Sequence, residues 1–233
     1  MEELTSGPIV AQVRIDRLAV LEFFDDKPAT SLTHATALCA VAGEDLGAGL
    51  LKHYLENEEG ADVTIFPTCT QGTKMGCRLD CWAHAVWNDH ATYFQVEIKN
   101  WSAHAIGGRK LALDARPEMV ATYKIERWAK RWDTQAQTLK DIAAQKVLVP
   151  MRPPTSDATV EPLVCFWDAL HPNGDLAPFF SVALPEGNNF PRLWVFSMSA
   201  YLRNRTESHL ILDMPAVPQR LYWLNRLFKA RIP

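Results

Sequence analysis

A period of two runs through the middle of the chain. In RLDCWAHAVWNDHATYFQVEIKNW (residues 78–101), polar and apolar positions alternate on either side of Asn88-Asp89-His90. Alternate residues of a strand share a face, so this stretch predicts two strands, 75–87 and 91–101, joined by a tight turn. On the second strand Gln95, Glu97 and Lys99 point one way, and Phe94, Val96 and Ile98 the other. On the first, Cys77, Leu79, Cys81 and Ala83 form the apolar side, opposite Arg78, Asp80, Trp82 and His84. DVTIFPT (62–68) reads as an earlier strand, separated by the turn Gln71-Gly72-Thr73-Lys74. Three strands with short turns imply an antiparallel meander.

Before the meander the period changes to that of a helix. Leu38, Val41, Leu46, Leu50, Tyr54 and Leu55 make one apolar stripe from a cap at Ser31 or Thr33 to about Glu58, and Gly60 closes it. Gly43, Gly47 and Gly49 lie inside this helix, each costing about 1 kcal/mol relative to alanine. Close approach to another backbone would explain them. After the meander, 102–117 reads as loop with a short strand at 110–113. Ile125, Trp128, Trp132, Ala136, Leu139 and Ile142 then predict one or two helices over 118–145. KVLVPM (146–151) follows as a short strand ended by prolines. Residues 9–24 fit either strand or helix, with a strand pair or peripheral strand favoured. Beyond a linker at 152–160, residues 163–170, 176–184 and 193–202 read as strands, and 215–229 as an amphipathic helix.

Composition changes this picture in three ways. A chain of 233 residues, 48% hydrophobic and 22% charged, is long enough for a sizeable core in one domain or a domain plus extension. The N-terminus lacks a basic and then apolar leader, and no apolar run approaches ~20 residues, so a cytoplasmic chain without a membrane span is expected. Five cysteines fit a reducing compartment. Zinc at Cys77, Cys81 and His84 is set aside, because His84 faces away from the two thiols and buried cysteine suits the pattern better.

The net charge of −3 hides an asymmetry. Residues 1–98 carry 6 basic and 15 acidic groups, and residues 99–152 carry 11 basic and 5 acidic. Lys110, Arg116, Lys124, Arg127, Lys130 and Arg131 lie in the basic segment, which suits a surface that tracks phosphates. A solvated amphipathic helix would have the same charges.

Candidate chemistry converges on the hairpin. If Asp80 pairs with Glu97, two carboxylates and the Lys99 ammonium meet at one point. Paired carboxylates repel unless a cation lies between them, and Mg²⁺ prefers such oxygen ligands. Asp80 followed by Glu97-Ile98-Lys99 resembles the PD-(D/E)XK nuclease superfamily, the restriction-endonuclease-like fold. Asp25-Asp26-Lys27 has the same acid-x-Lys pattern, but it precedes Pro28 in a polar turn without a partner carboxylate. The order helix, three strands, helix, strand over 31–151 is also that family's αβββαβ core.

The resemblance implies an α/β (α+β) fold with a mixed central sheet flanked by helices. The nuclease core would span 31–151, with an N-terminal extension at 1–30. Residues 152–233 would be a β-rich extension of the same domain or a small accessory domain. It implies Mg²⁺ or Mn²⁺ on Asp80 and Glu97, Lys99 as the catalytic lysine and Glu44 as a supporting acid. Glu44 could equally be a surface acid. It further implies a nucleic-acid substrate, DNA in the first instance, and by analogy a role in restriction or phage defence. Gln135, with Gln137, matches loosely a glutamine that contacts the site or substrate in some branches. The other reading is the same fold with a silent site, docking nucleic acid or protein. The C-terminal half is open to a homodimer or partner contact. No phosphate-binding loop, GxSxG or HExxH motif competes. His84 could face the site and His104 lies just beyond Lys99, though structural roles suit both better.

Overall fold

The computed structural model describes residues 11–25, 32–67, 79–99, 132–133, 138–139, 144–155, 159–169 and 177–215. These form an α+β unit with few helices around a mixed six-stranded sheet. Its strands are β2 (Asp62–Pro67), β3 (Cys81–Val86), β4 (Ala91–Lys99), β7 (Thr159–Phe166), β8 (Phe179–Ala183) and β9 (Arg192–Ser197), in the order β2-β3-β4-β7-β9-β8. The expected meander is there: β2, β3 and β4 pair antiparallel. β7 then runs parallel to β4, and β9 parallel to β7, with β8 closing the edge antiparallel. Three neighbouring strands therefore end at the same edge of the sheet, beside Lys99, Phe166 and Ser197.

A long helix, α2 (Leu32–Asn57), covers one face and matches the predicted helix closely. On this face Cys81, Phe94, Val96, Ile98, Leu163, Cys165 and Phe196 pack with Leu50, Leu51, Tyr54 and Leu55 of the helix. Tyr54 and Phe179 both lie beside Phe196, at 5.4 and 6.5 Å between ring centroids. A two-stranded sheet, β1 (Ala11–Asp16) with β10 (His209–Met214), lies against the helix from outside. The opposite face holds a second core of Leu79, Trp82, Tyr93, Val147, Met151, Val164, Phe166, Leu193 and Val195. Odd and even positions of β4, β7 and β9 divide cleanly between these layers, as a two-residue period requires.

The glycines of α2 have a steric reason. A Cβ on Gly47 would stand 2.7 Å from Ile98 Cγ2, and one on Gly49 2.8 Å from the Asp213 carbonyl oxygen. From Gly47 onward α2 runs antiparallel to β4, since Gly47 lies against Ile98 and the helix then leads into Asp62, whose row in the sheet reaches Ala91. Alanine at an ordinary helical glycine stabilises by up to about 1 kcal/mol. Here Gly49→Ala is expected to destabilise by about 1 kcal/mol net, because overpacking against a fixed carbonyl outweighs propensity. Gly47→Ala meets a side chain that can yield, and should cost less. Melting curves of the two variants check the order.

Several expectations need correction. KVLVPM is not a strand: Ala144–Leu148 is a 3₁₀ turn, and the strand beside β4 is β7. Val147 and Met151 are both buried against the sheet face, so the run is apolar because it covers the sheet rather than joins it. One continuous helix over 118–145 is excluded by a short antiparallel ladder, β5 (Trp132–Asp133) with β6 (Thr138–Leu139). The strand expected at 193–202 ends at Ser197, and α3 (Met198–Asn204) follows. Residues 9–24 divide into β1 and α1 (Arg17–Asp25), which Asp16 caps by accepting the Ala19 amide at 2.9 Å. β7, β8 and β9, all beyond residue 152, belong to the same sheet as the meander. The helix expected at 215–229 lies outside the described residues, apart from Pro215.

Candidate functional site

The β3–β4 register brings the two acids together. Cys81 pairs with Val96, so Asp80 lies one step beyond, beside Glu97. Here β3 leaves the regular ladder. The Asp80 amide donates to the Val96 carbonyl at 3.1 Å, and the Asp80 carboxylate accepts the Ile98 amide at 2.7 Å. The bend also reverses Leu79. It joins Trp82 in the second core, not Cys81 in the first as strict alternation demands.

Glu97 and Lys99 are both almost fully buried, and Lys99 Nζ donates to Glu97 Oε1 in a direct ion pair. A second ammonium, Lys146 Nζ, lies 3.7 Å from the same oxygen. Glu97 Oε2 is buried and has no hydrogen-bond partner among the described residues. Burial pushes the Glu97 carboxyl above its ordinary range, the Asp80 charge adds to this, and the two lysines oppose it. Among the described residues the site thus joins two carboxylates and two ammoniums, close to neutral in sum.

Gln95 shares this face and fixes what lies over it. Its amide donates to the carbonyls of Val147 and, at 3.0 Å, Val149, while its oxygen accepts the Met151 amide at 3.1 Å. One buried side chain therefore clamps the 3₁₀ turn and its exit onto β4, and so places Lys146. Gln95→Leu would leave those backbone groups unpaired, at a cost of roughly 1–3 kcal/mol. Denaturant unfolding of that variant checks it, and a loss under about 0.5 kcal/mol would mean the turn is held by packing alone. The sequence pattern put Gln95 on the right face without showing its role. Lys146 was hidden at the start of a run read as a strand.

Glu44 is half-buried and lies near the middle of α2, one turn before Gly47, which packs against Ile98. This part of α2 covers the sheet face opposite the one that bears Glu97 and Lys99. Its neighbour Asp45 is the more buried acid, at 2% exposure. His84 is on the Glu97 face but stacks on Tyr93 at 4.1 Å, four residues or about 13 Å along β4. It is a ring partner, away from the carboxylates. Cys81 is a buried thiol on the α2 side. Lys110, Arg116, Lys124, Arg127, Lys130, Arg131, Gln135, Gln137 and His104 lie outside the described residues.

Nothing matches this chain among protein-family models, curated proteins or solved structures. Among the described residues no group of three or more His, Cys, Asp or Glu side chains is placed to hold a metal ion. The donor set at the site is Asp80 and Glu97. Two carboxylates, one with a buried unpartnered oxygen, fit a Mg²⁺-type ion, which takes one or two protein carboxylates and fills its other positions with water and phosphate oxygens. No helix among the described residues is long and apolar enough to cross a membrane.

Proposed function

We propose that this chain is a Mg²⁺- or Mn²⁺-dependent nuclease with a restriction-endonuclease-like core, cleaving phosphodiester bonds in nucleic acid, with DNA the first substrate to test. The observation that carries the reading is Glu97. It is a buried glutamate with an unpartnered oxygen, its pKa raised by burial and then by the Asp80 charge, and it is bound to a lysine two residues on. Burying such a group with one oxygen unpaired costs stability, and groups perturbed in this way cluster at functional sites. Supporting it is the strand order, an antiparallel β2-β3-β4 meander with β7 parallel to β4.

In this reading Asp80 and Glu97 hold the ion, and the Ile98 amide fixes the Asp80 carboxylate in place. The ion, when bound, supplies Lewis-acid polarisation of the phosphate and a more acidic water. Lys99 orients the attacking water or stabilises charge on the pentavalent phosphorus from a water-poor position, where such charges act most strongly. Glu44 supports the water network from the α2 side. The basic segment 99–152 supplies backbone contacts.

A silent docking module is the second reading. The near-neutral balance of Asp80 and Glu97 with Lys99 and Lys146 favours it, because the site satisfies most of its own charge. The experiment is plasmid nicking and single-strand cleavage with Mg²⁺ or Mn²⁺, run beside a thermal-shift titration of the metal. A nuclease cuts, and its melting temperature rises with metal. A docking module does neither, since a ligand stabilises only what it binds.

A further inference from the structure

The two lysines at Glu97 do different jobs. Lys99 is buried and in direct contact with Glu97 Oε1, whereas the Lys146 side chain is 40% exposed and stands 3.7 Å from that oxygen, too far for a hydrogen bond. Glu97 therefore has its direct partner without Lys146. Yet Lys146 is not a lysine on a loose loop. Its segment is locked to β4 through the Gln95 amide, and Val147 beside it is fully buried. The fold holds the root of this side chain firmly and leaves the side chain partly exposed, with its ammonium beside a carboxylate.

We propose that Lys146 is the substrate-contacting cation of the site, its ammonium binding a non-bridging oxygen of the nucleic-acid phosphate that arrives at Glu97. This rests on the nuclease reading and adds a phosphate subsite to it. A lysine on a fixed base with a flexible four-carbon stem can turn from Glu97 to an incoming phosphate without moving the backbone. The exchange also suits the charges. An arriving phosphodiester takes one ammonium from Glu97, leaving that carboxylate more negative beside Asp80 and better suited to a cation. Substrate and metal would then each strengthen the other's binding.

The test uses the full chain and a fluorescein-labelled duplex of about 20 base pairs. Ca²⁺ replaces Mg²⁺ to supply a cation with the same oxygen preference. Binding is followed by anisotropy between roughly 50 and 200 mM salt. Lys146→Ala is expected to weaken binding several-fold at low salt and to flatten the log–log salt slope by about 0.9, the share of one duplex phosphate contact. Lys146→Arg should keep most of both. A Lys146→Ala protein that melts like the parent and binds with the parent's affinity and slope overturns the assignment, and leaves the nuclease reading standing. A parent that binds neither this duplex nor its separate strands at any salt overturns both. Restored slope in Lys146→Arg excludes a merely structural role, because the salt slope reports charge at phosphate rather than packing.

Discussion

Replacing Lys99 by alanine is expected to lower cleavage by about 10²–10³-fold, the usual cost of removing one charge aimed at a transition state. The same change alters the linkage between pH and stability. Burial and the Asp80 charge raise the Glu97 pKa, and Lys99 is the first of the groups that hold it down. Without Lys99 it rises further. A carboxyl whose folded pKa exceeds its unfolded value lends stability that is fully present below the unfolded pKa, roughly 4.3, and lost as pH rises through the folded pKa. The melting deficit of Lys99→Ala against the parent should therefore be small near pH 4 and larger near pH 8. A deficit independent of pH would mean that Glu97 is not buried beside Lys99 as described. Cleavage within threefold of the parent would remove Lys99 from the chemistry.

The largest expected loss of stability is at Phe196. This side chain is fully buried among Tyr54 of α2, Phe179 of β8 and Tyr201 of α3. Phe196→Ala should cost about 3–5 kcal/mol, the lost transfer free energy plus the cavity. The position also bears on how the chain is organised, since β9 lies in the half read from sequence as an extension. Because β9 pairs with β7 and β7 with β4, the loss should lower one cooperative transition. Two separate transitions, with only the later-melting or earlier-melting one shifted, would mean that the C-terminal strands fold apart from the meander.

What could be read from the sequence was whatever local periodicity specifies. The α2 stripe, the β2 and β4 runs and the common face of Gln95, Glu97 and Lys99 follow from spacings of 3.6 and 2. The pairing of Asp80 beside Glu97 stood in the sequence only as a condition, and it is met because the loop spans four residues, with Val86 opposite Ala91. What failed was decided by distant partners. VLVPM has the composition of a strand, but the Gln95 amide claims its carbonyls and the second core claims Val147 and Met151. LWVFSMSAYL is apolar but for Ser197 and Ser199, so no period marked the change from β9 to α3 at Ser197. β1 and β10 pair across almost the whole chain, which no local pattern announces. Leu79 followed the wrong face because the chain bends where Asp80 reaches the Ile98 amide. The strand rule broke at the proposed catalytic acid.

The central claim is that Asp80 and Glu97 share a metal ion, and a crystal structure of the protein soaked in Mn²⁺ tests it most directly. The account predicts one Mn²⁺ with a carboxylate oxygen of Asp80 and Glu97 Oε2 each at roughly 2.0–2.6 Å, Lys99 next to it and water filling the other positions. Mn²⁺ found elsewhere, with Glu97 still paired to Lys99 and Asp80 bound only to the Ile98 amide, would contradict it and leave the docking module as the reading to pursue.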